Sequence, residues 1–299
     1  MRIVSLLPSA TEIAFLLGQG DQLVGVTHEC DWPPEARSIR RVSWSNLPAL
    51  AEPAEVDRLV SESVTSGASI YALDRAAIQE LQPDLILTQD LCEVCAVPAG
   101  HLRAALDVIG CDAEVVSLDP SSLDDVLGCI VAVAKATGTE SVAQGLVAEL
   151  QSRLARVRAS VSGRPRSRTL ALEWGDPPYN GGHWVPEMIE VAGGEALLAS
   201  RGVPSTRLAW PDIAATKPET VVFMPCGYDL EAACAEAPRV ATRAELQDAN
   251  CFIAANASAY FSRPGPRLVD GVEALASLLH PGRVTPRVTD AVTVVAVSP

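Results

Sequence analysis

The chain has 299 residues, enough for two domains, and 48% of them are apolar against 20% charged, which excludes a disordered chain. Its formal net charge of −14 makes nucleic acid an unfavourable partner, because phosphate binding needs a basic surface. The sequence has no run of the roughly 18 apolar residues that a transmembrane helix requires, so we expect no membrane insertion.

The N-terminus resembles an export signal only superficially. Arg2 precedes an apolar run, but Pro8 and Glu12 interrupt it before the apolar residues 14–17. Residues 2–7 therefore predict the first strand of the fold. We expect the chain as given to be cytoplasmic, or periplasmic or at the cell surface if an export signal is missing from it.

The first half of the chain alternates strand-like and helix-like segments. A helix that Ser9 or Thr11 would cap follows the first strand and ends near residue 17. Further strands are predicted at 24–26, 85–88 and 113–118, and further helices at 73–81 and 97–109. Such alternation is typical of a parallel, doubly wound sheet that is covered by helices on both faces.

A long helical region separates this half from a second α/β half. Gly138 and Thr139 interrupt it, and the piece after them has apolar residues at helical spacing. In the second half, strands are predicted at 169–174, 220–224 and 252–255, and helices at 186–191, within 230–248 and at 267–279. Residues 292–297 are expected to form either an edge strand or a loosely attached end. The sequence thus predicts an N-terminal lobe at 1–138, a connecting helix at 139–163 and a C-terminal lobe at 164–299.

Aromatic residues are few, yet most follow the predicted strands. The chain has five tryptophans, four tyrosines and four phenylalanines, and the strand ends hold Trp32, Trp174, Tyr179, Trp184, Tyr228, Tyr260 and Phe261. Trp44 and Trp210 are expected in irregular segments. Because open α/β sheets bind ligands beyond the carboxyl ends of their strands, this distribution indicates a large, flat, partly apolar small-molecule ligand between two lobes.

Five segments then identify a family resemblance, which covers roughly residues 2–280. They resemble the substrate-binding proteins of vitamin B12 and iron–siderophore ABC importers, most closely the cobalamin-binding branch. The segments are SLLPSATEIAFLLG, LVGVTHECDWPPEA, LQPDLILTQ, EWGDPPYNGGHWVPEMIEVAGG and ASAYFSRPGPRLVDGVEALA. The resemblance implies a class III periplasmic-binding-protein architecture, with two α/β lobes joined by one long helix and the ligand in the cleft between them.

The resemblance also implies a ligand and its contacts. The expected ligand is cobalamin or a related corrinoid, no cofactor is required, and aromatic residues from both lobes line the cleft. Trp44, Tyr179, Trp210 and Tyr260 occupy comparable positions here. The strand ends and their flanks add further candidate contacts at His28, Glu29, Cys92, Cys95, Glu173, Trp184, Phe261 and Arg263.

Importer-docking members of this family carry one acidic residue on each lobe for the permease. Asp74 matches the first-lobe position, while the second-lobe glutamate is absent and Glu219 or Asp212 would have to replace it. An ABC permease is therefore a possible partner, and transport component and intracellular carrier both stay open as roles. We expect a monomer.

The pair Cys92 and Cys95 leaves several readings open. It follows the strand at 85–88, and His28 and Cys30 follow the adjacent strand, so the four residues form a candidate zinc site. A redox disulfide, a direct ligand to corrin cobalt, and a purely structural lining are the alternatives.

Two further functions compete with corrinoid binding. The same fold accommodates a ferric siderophore or haem, and the four candidate zinc ligands leave a metal-dependent enzyme possible. The sequence contains no phosphate loop, no G-x-G-x-x-G turn and no nucleophile–base pair at motif spacing. We therefore expect a binding protein rather than an enzyme.

Overall fold

The computed structural model describes residues 1–46, 55, 58, 59, 62, 71–89 and 111–296. The chain forms two compact units. Unit 1 comprises Met1–Pro120 and Leu127–Val147, and unit 2 comprises Ser121–Val126 and Ala148–Pro299. The division falls inside two helices, α3 (Leu123–Thr137) and α4 (Glu140–Val161), and α4 occupies most of the predicted connector at 139–163.

Unit 1 is built on a sheet with the strand order β4-β3-β2-β1-β5-β6. Its strands are β1 (Ile3–Ser5), β2 (Leu23–Thr27), β3 (Arg41–Ser45), β4 (Tyr71–Leu73), β5 (Leu85–Thr88) and β6 (Glu114–Ser117). Neighbouring strands are parallel except at the β3–β4 edge. The central strands β1 and β5 are fully buried, as expected for a parallel sheet that is covered on both faces.

Unit 1 also contains two shorter helices, α1 (Pro8–Leu16) and α2 (Arg75–Leu81). The expected cap at Ser9 or Thr11 is wrong, because α1 begins at Pro8 with Leu7 as its N-cap and no side-chain cap. The Asp74 carboxylate caps α2 by accepting a hydrogen bond of 2.9 Å from the Ala77 N–H.

Unit 2 has a second sheet with the order β12-β11-β10-β7-β8, and β9 also pairs with β7. Its strands are β7 (Ser167–Gly175), β8 (Pro178–Asn180), β9 (Gly194–Ala196), β10 (Thr220–Phe223), β11 (Cys251–Ala255) and β12 (Val292–Val294). The pairings within β9-β7-β10-β11 are parallel, while β8 and β12 are antiparallel edges. The predicted edge strand is thus confirmed for Val292–Val294.

The helices of unit 2 after α4 pack around this sheet. They are α5 (Val185–Val191), α6 (Trp210–Thr216), α7 (Leu230–Ala241), α8 (Ala257–Tyr260) and α9 (Leu268–Leu279). Leu170, Leu172, Val221, Phe223, Phe252 and Ala254 from the central strands form one buried cluster with Ala233, Ala237 and Val240 of α7. No helix in the described ranges is long and apolar enough to cross a bilayer.

The structure corrects several local expectations. Trp44 lies in β3 and Trp210 begins α6, so neither residue is in an irregular segment. The helix expected at 73–81 begins at Arg75, because Tyr71–Leu73 forms an edge strand instead. The predicted helix at 97–109 lies outside the described residues.

Candidate functional site

Buried hydroxyl groups tie together the carboxyl ends of β1 and β2 in unit 1. Thr11 Oγ1 donates to Ser5 Oγ at 2.9 Å, and Ser5 Oγ donates to the Leu7 carbonyl at 3.0 Å. The thiol of Cys30 lies 3.0 Å from the same Thr11 hydroxyl, and only 3% of Cys30 is exposed. Cys30 therefore belongs to this interior network, which holds the segment after β2 against α1.

His28 and Glu29 provide a half-buried polar surface at the same edge. His28 Nδ1 lies 3.3 Å from Thr27 Oγ1, and its Nε2 lies 4.0 Å from the Glu29 carboxylate. The imidazole is 6.0 Å from the Tyr71 ring between centroids. These two side chains keep the accessibility that a ligand contact requires.

Trp44 is the most exposed of the predicted ligand contacts that the structure describes. It lies in β3 opposite Ala72 of β4, and 47% of the residue is accessible. An indole with this exposure on an edge strand offers a large flat apolar face for stacking. Trp44 thus has the accessibility for the stacking role that the sequence predicted.

Of the four candidate zinc ligands, the structure describes His28 and Cys30. Cys92 and Cys95 lie outside the described residues. Among the residues that are described, no three His, Cys, Asp or Glu side chains come together as metal ligands. Of the two described candidates, Cys30 is directed to Thr11 and His28 to Thr27 and Glu29. A zinc site at these four residues remains a prediction.

In unit 2, Glu173 near the carboxyl end of β7 clamps two neighbouring loops. Its carboxylate accepts a hydrogen bond of 3.2 Å from the Gly182 N–H and another from the Ser205 hydroxyl. Gly182 is required there, because a Cβ would lie 2.2 Å from the Ser205 nitrogen. Removal from water raises the pKa of the Glu173 carboxyl, while its two hydrogen bonds act in the opposite direction. Glu173 therefore organises the loops through these two bonds.

His183 follows in a left-handed conformation, with φ at +52°. Its N–H donates to the Val203 carbonyl at 2.7 Å, and its own carbonyl accepts from the Gly202 N–H. The imidazole Nε2 is buried and has no hydrogen-bond partner within the described ranges. Burial lowers the pKa of this imidazole.

Three of the predicted aromatic contacts are instead interior residues of unit 2. Trp184 is 5% exposed and donates its indole N–H to the Phe261 carbonyl at 2.7 Å, while Phe261 is 1% exposed. Tyr260 is 6% exposed and donates its hydroxyl to Asp290 at 2.9 Å. Burial and then the Asp290 carboxylate raise the pKa of Tyr260. These three side chains are therefore largely removed from solvent in this structure, and their direct contact with a ligand remains a prediction.

The remaining predicted contacts in unit 2 are half-buried. Tyr179 lies in β8 and pairs with Trp174 of β7. Trp210 lies beneath the Arg243 guanidinium, which is 3.8 Å from the ring centroid. Arg263 is also half-buried, in the segment between α8 and α9.

One aromatic pair at the strand ends was not among the predicted contacts. Trp174 at the end of β7 packs edge to face against Tyr228 beyond β10, with ring centroids 5.9 Å apart. Both residues are half-buried. Their positions after two adjacent strands were visible in the sequence, so the strand-end pattern could have selected them.

The three acidic docking candidates differ in their surroundings. Asp74 is half-buried and caps α2, so it already has a structural role. Asp212 is exposed in the first turn of α6. Glu219 is exposed and accepts a hydrogen bond of 3.0 Å from the Arg168 N–H. A role of any of them in docking remains a prediction.

Comparison with known proteins gives a consistent set of similarities. A family model described as periplasmic binding protein matches residues 3–247. A vitamin B12-binding protein of Vibrio cholerae serotype O1 is 26% identical over 286 residues, which cover 93% of this chain and 88% of that protein.

Solved structures share the fold. The crystal structure of a periplasmic vitamin B12-binding protein of Vibrio cholerae matches with a TM-score of 0.64 and 24% identity, over 93% of this chain and 96% of that one. A periplasmic haem-binding protein from Pseudomonas aeruginosa matches with a TM-score of 0.74 and 19% identity, over 100% and 99% of the two chains. The predicted fold class, two α/β lobes of the class III type, is confirmed.

Proposed function

Because the chain belongs to the periplasmic binding protein family, we propose that it binds cobalamin or a related corrinoid. The family is one of substrate-binding proteins that deliver small molecules to ABC permeases, and its members are not enzymes. The family membership gives the general role of substrate binding, and the proposal adds the identity of the ligand. It also includes an ABC permease as the partner, with Asp74 as a docking residue.

The observation that carries the proposal is the extent of the similarity to a vitamin B12-binding protein. That similarity spans 93% of this chain and 88% of the relative, so it extends over both units. A second support is the exposed indole of Trp44, because a corrin presents a broad apolar face on which aromatic rings can stack.

The proposed contacts separate into two groups by accessibility. Trp44, His28 and Glu29 of unit 1 and Tyr179 and Trp210 of unit 2 are exposed or half-buried and are proposed to touch the ligand. Trp184, Tyr260 and Phe261 are interior residues and are proposed to support the loops. This division assigns stacking and amide recognition to the first group only.

The direct test is a titration of the purified protein with cyanocobalamin and with cobinamide, followed by the corrin absorption spectrum and by calorimetry. We expect one site with a Kd on the order of 1 µM or tighter. Titrations with haemin and with a ferric siderophore run in parallel. A flat response to both corrinoids would contradict the proposal.

A matched pair of variants locates the site. Trp44→Ala is expected to weaken corrinoid binding about tenfold, because loss of a stacked indole removes on the order of 1.5 kcal/mol. Leu16→Ala is the control, since Leu16 is an apolar residue of unit 1 that is 50% exposed at the end of α1 and is outside the proposed contacts. Equal affinity of Trp44→Ala and the unmodified protein would remove Trp44 from the site.

Haem is the second candidate ligand. The solved haem-binding protein from Pseudomonas aeruginosa aligns with the whole of this chain at a TM-score of 0.74, which supports a fold able to hold a macrocycle of that size. An anionic siderophore is less favourable, because the chain carries a net charge of −14. Tight binding of haemin together with no corrinoid response would replace the first candidate by the second.

A further inference from the structure

One stretch of this acidic chain is strongly basic. Residues 150–172 contain no Asp or Glu and six arginines. Arg153 is paired with carboxylates, Arg156 donates to Ser152 Oγ, and Arg168 donates to the Thr216 carbonyl. The three arginines that remain are Arg158, Arg164 and Arg166.

These three arginines line a cavity of about 300 Å³ within unit 2, at the end of α4. The chain turns there at Gly163, with φ at +71°, and the Arg164 N–H donates to the Val161 carbonyl. This turn places the last turn of α4 and the segment that follows it on the walls of the same cavity.

The opposite wall adds a fourth arginine and one acid. Arg201 donates to the Glu190 carboxylate, with its Nε 2.5 Å from Oε2, and both residues line the cavity. Four arginines and one glutamate therefore line the space. Arg158 has only a long ion pair of 3.6 Å with Glu187, and Arg164 and Arg166 make no side-chain hydrogen bond or ion pair within the described ranges.

We propose that this cavity is a binding site for a small soluble phosphoryl anion, such as inorganic phosphate, pyrophosphate or a phosphate ester. Guanidinium groups bind phosphate oxygens through two parallel hydrogen bonds, and four arginines line this one concavity. The volume accommodates a group larger than a single phosphate. The cavity shares no residue with the proposed corrinoid contacts, so the inference does not depend on them.

A free anion fits better than a phospholipid surface. The chain as a whole is acidic, with a net charge of −14, so an anionic bilayer would repel most of its surface. The arginines instead line a concavity, which suits a ligand that enters it as a separate molecule.

The test is calorimetric titration of the full chain with pyrophosphate, at low and at physiological salt. We expect saturable binding at one site, with an affinity that falls as salt rises, because exposed charges are screened. In Arg164→Gln/Arg166→Gln the affinity is expected to fall at least tenfold. The control Arg41→Gln/Arg283→Gln removes the same charge from exposed arginines outside the cavity and is expected to leave the affinity unchanged.

A gain-of-function variant makes the test independent of any loss of folding. Among the described residues that line the cavity, Glu190 is the only one with a carboxylate. Glu190→Gln removes it and releases Arg201, so pyrophosphate is expected to bind severalfold more tightly. The inference is overturned by the absence of binding at about 10 mM pyrophosphate. Equal losses in the cavity and control variants would overturn it too, as would binding to phosphatidylglycerol vesicles without binding to pyrophosphate.

Discussion

The ion-pair cluster between α4 and α9 allows a quantitative prediction for unit 2. Arg153 is 4% exposed, and its guanidinium donates to Glu273 at 2.9 and 2.7 Å and to Asp270 at 2.5 Å. Burial alone would lower the pKa of this guanidinium, but the hydrogen bonds and charges of the two carboxylates outweigh burial and raise it. Arg153 therefore remains charged and neutralises two carboxylates that are largely removed from water.

Arg153→Met retains the apolar stem but leaves both carboxylates without their partner. Removal of one member of a buried ion pair costs about 3–5 kcal/mol, because a buried charge is left uncompensated. This is a large share of the roughly 5–15 kcal/mol that stabilises a typical native protein. Arg156→Met is the control, because Arg156 is exposed on the same helix and bonds only to Ser152 within the described chain.

Urea unfolding followed by tryptophan fluorescence measures the effect, since Trp174, Trp184 and Trp210 report on unit 2. The further variant Arg153→Met/Asp270→Asn/Glu273→Gln removes the stranded charges and is expected to recover most of the lost stability. A loss below about 1 kcal/mol in Arg153→Met would refute the reasoning. So would a triple variant that is no more stable than the single one.

Three further predictions concern titration and capping. The raised pKa of Glu173 means that the unfolded chain ionises this carboxyl more readily than the folded protein, so the unmodified protein loses stability as pH rises above 4.5. Glu173→Gln has no such loss and is expected to gain stability relative to the unmodified protein over this range. Urea unfolding at several pH values measures the difference. Because burial lowers the pKa of His183, the unfolded chain binds a proton at this imidazole more readily than the folded protein, and stability falls as pH falls below 6.5. His183→Asn is expected to lessen this loss. The measurement is the slope of the free energy of unfolding against pH. Asp74→Ala is expected to cost about 0.5–2 kcal/mol through loss of the α2 cap, whereas Asp74→Asn keeps the cap and loses the charge, so a permease-binding assay on Asp74→Asn isolates docking.

The sequence predicted the central strands better than the edges. Parallel strands such as β5 and β10 are continuous buried apolar runs between turn signals, and such runs are readable without a structure. Three of the short edges, β4, β8 and β9, have three residues each, too few to show a period of two, and were missed. The inner strand β3 was missed too, because its exposed residues Arg41 and Trp44 interrupt the apolar pattern.

The sequence predicted which aromatic residues follow strands, but it gave no measure of their accessibility. Trp44, expected in an irregular segment, is 47% exposed, whereas Trp184, expected at a strand end, is 5% exposed. Which indole is covered depends on contacts such as the bond from Trp184 to the Phe261 carbonyl, across 77 residues of sequence. A local pattern has no information about such a contact.

The position of each arginine around the α4 helix decides whether it is buried in an ion pair or exposed at the cavity. Arg153 lies at the spacing of Leu150, Leu154 and Val157, the buried face of the helix, whereas Arg158 lies off that face and is exposed. A charged residue in phase with an apolar stripe requires compensating charges on a facing element. The apolar helix α9 supplies them, since Asp270 and Glu273 are its only charged residues and are spaced three apart, on one face. The contact between α4 and α9 could therefore be inferred by pairing the charged residue on the apolar face of α4 with the charged residues of α9, even though 120 residues separate Arg153 from Glu273.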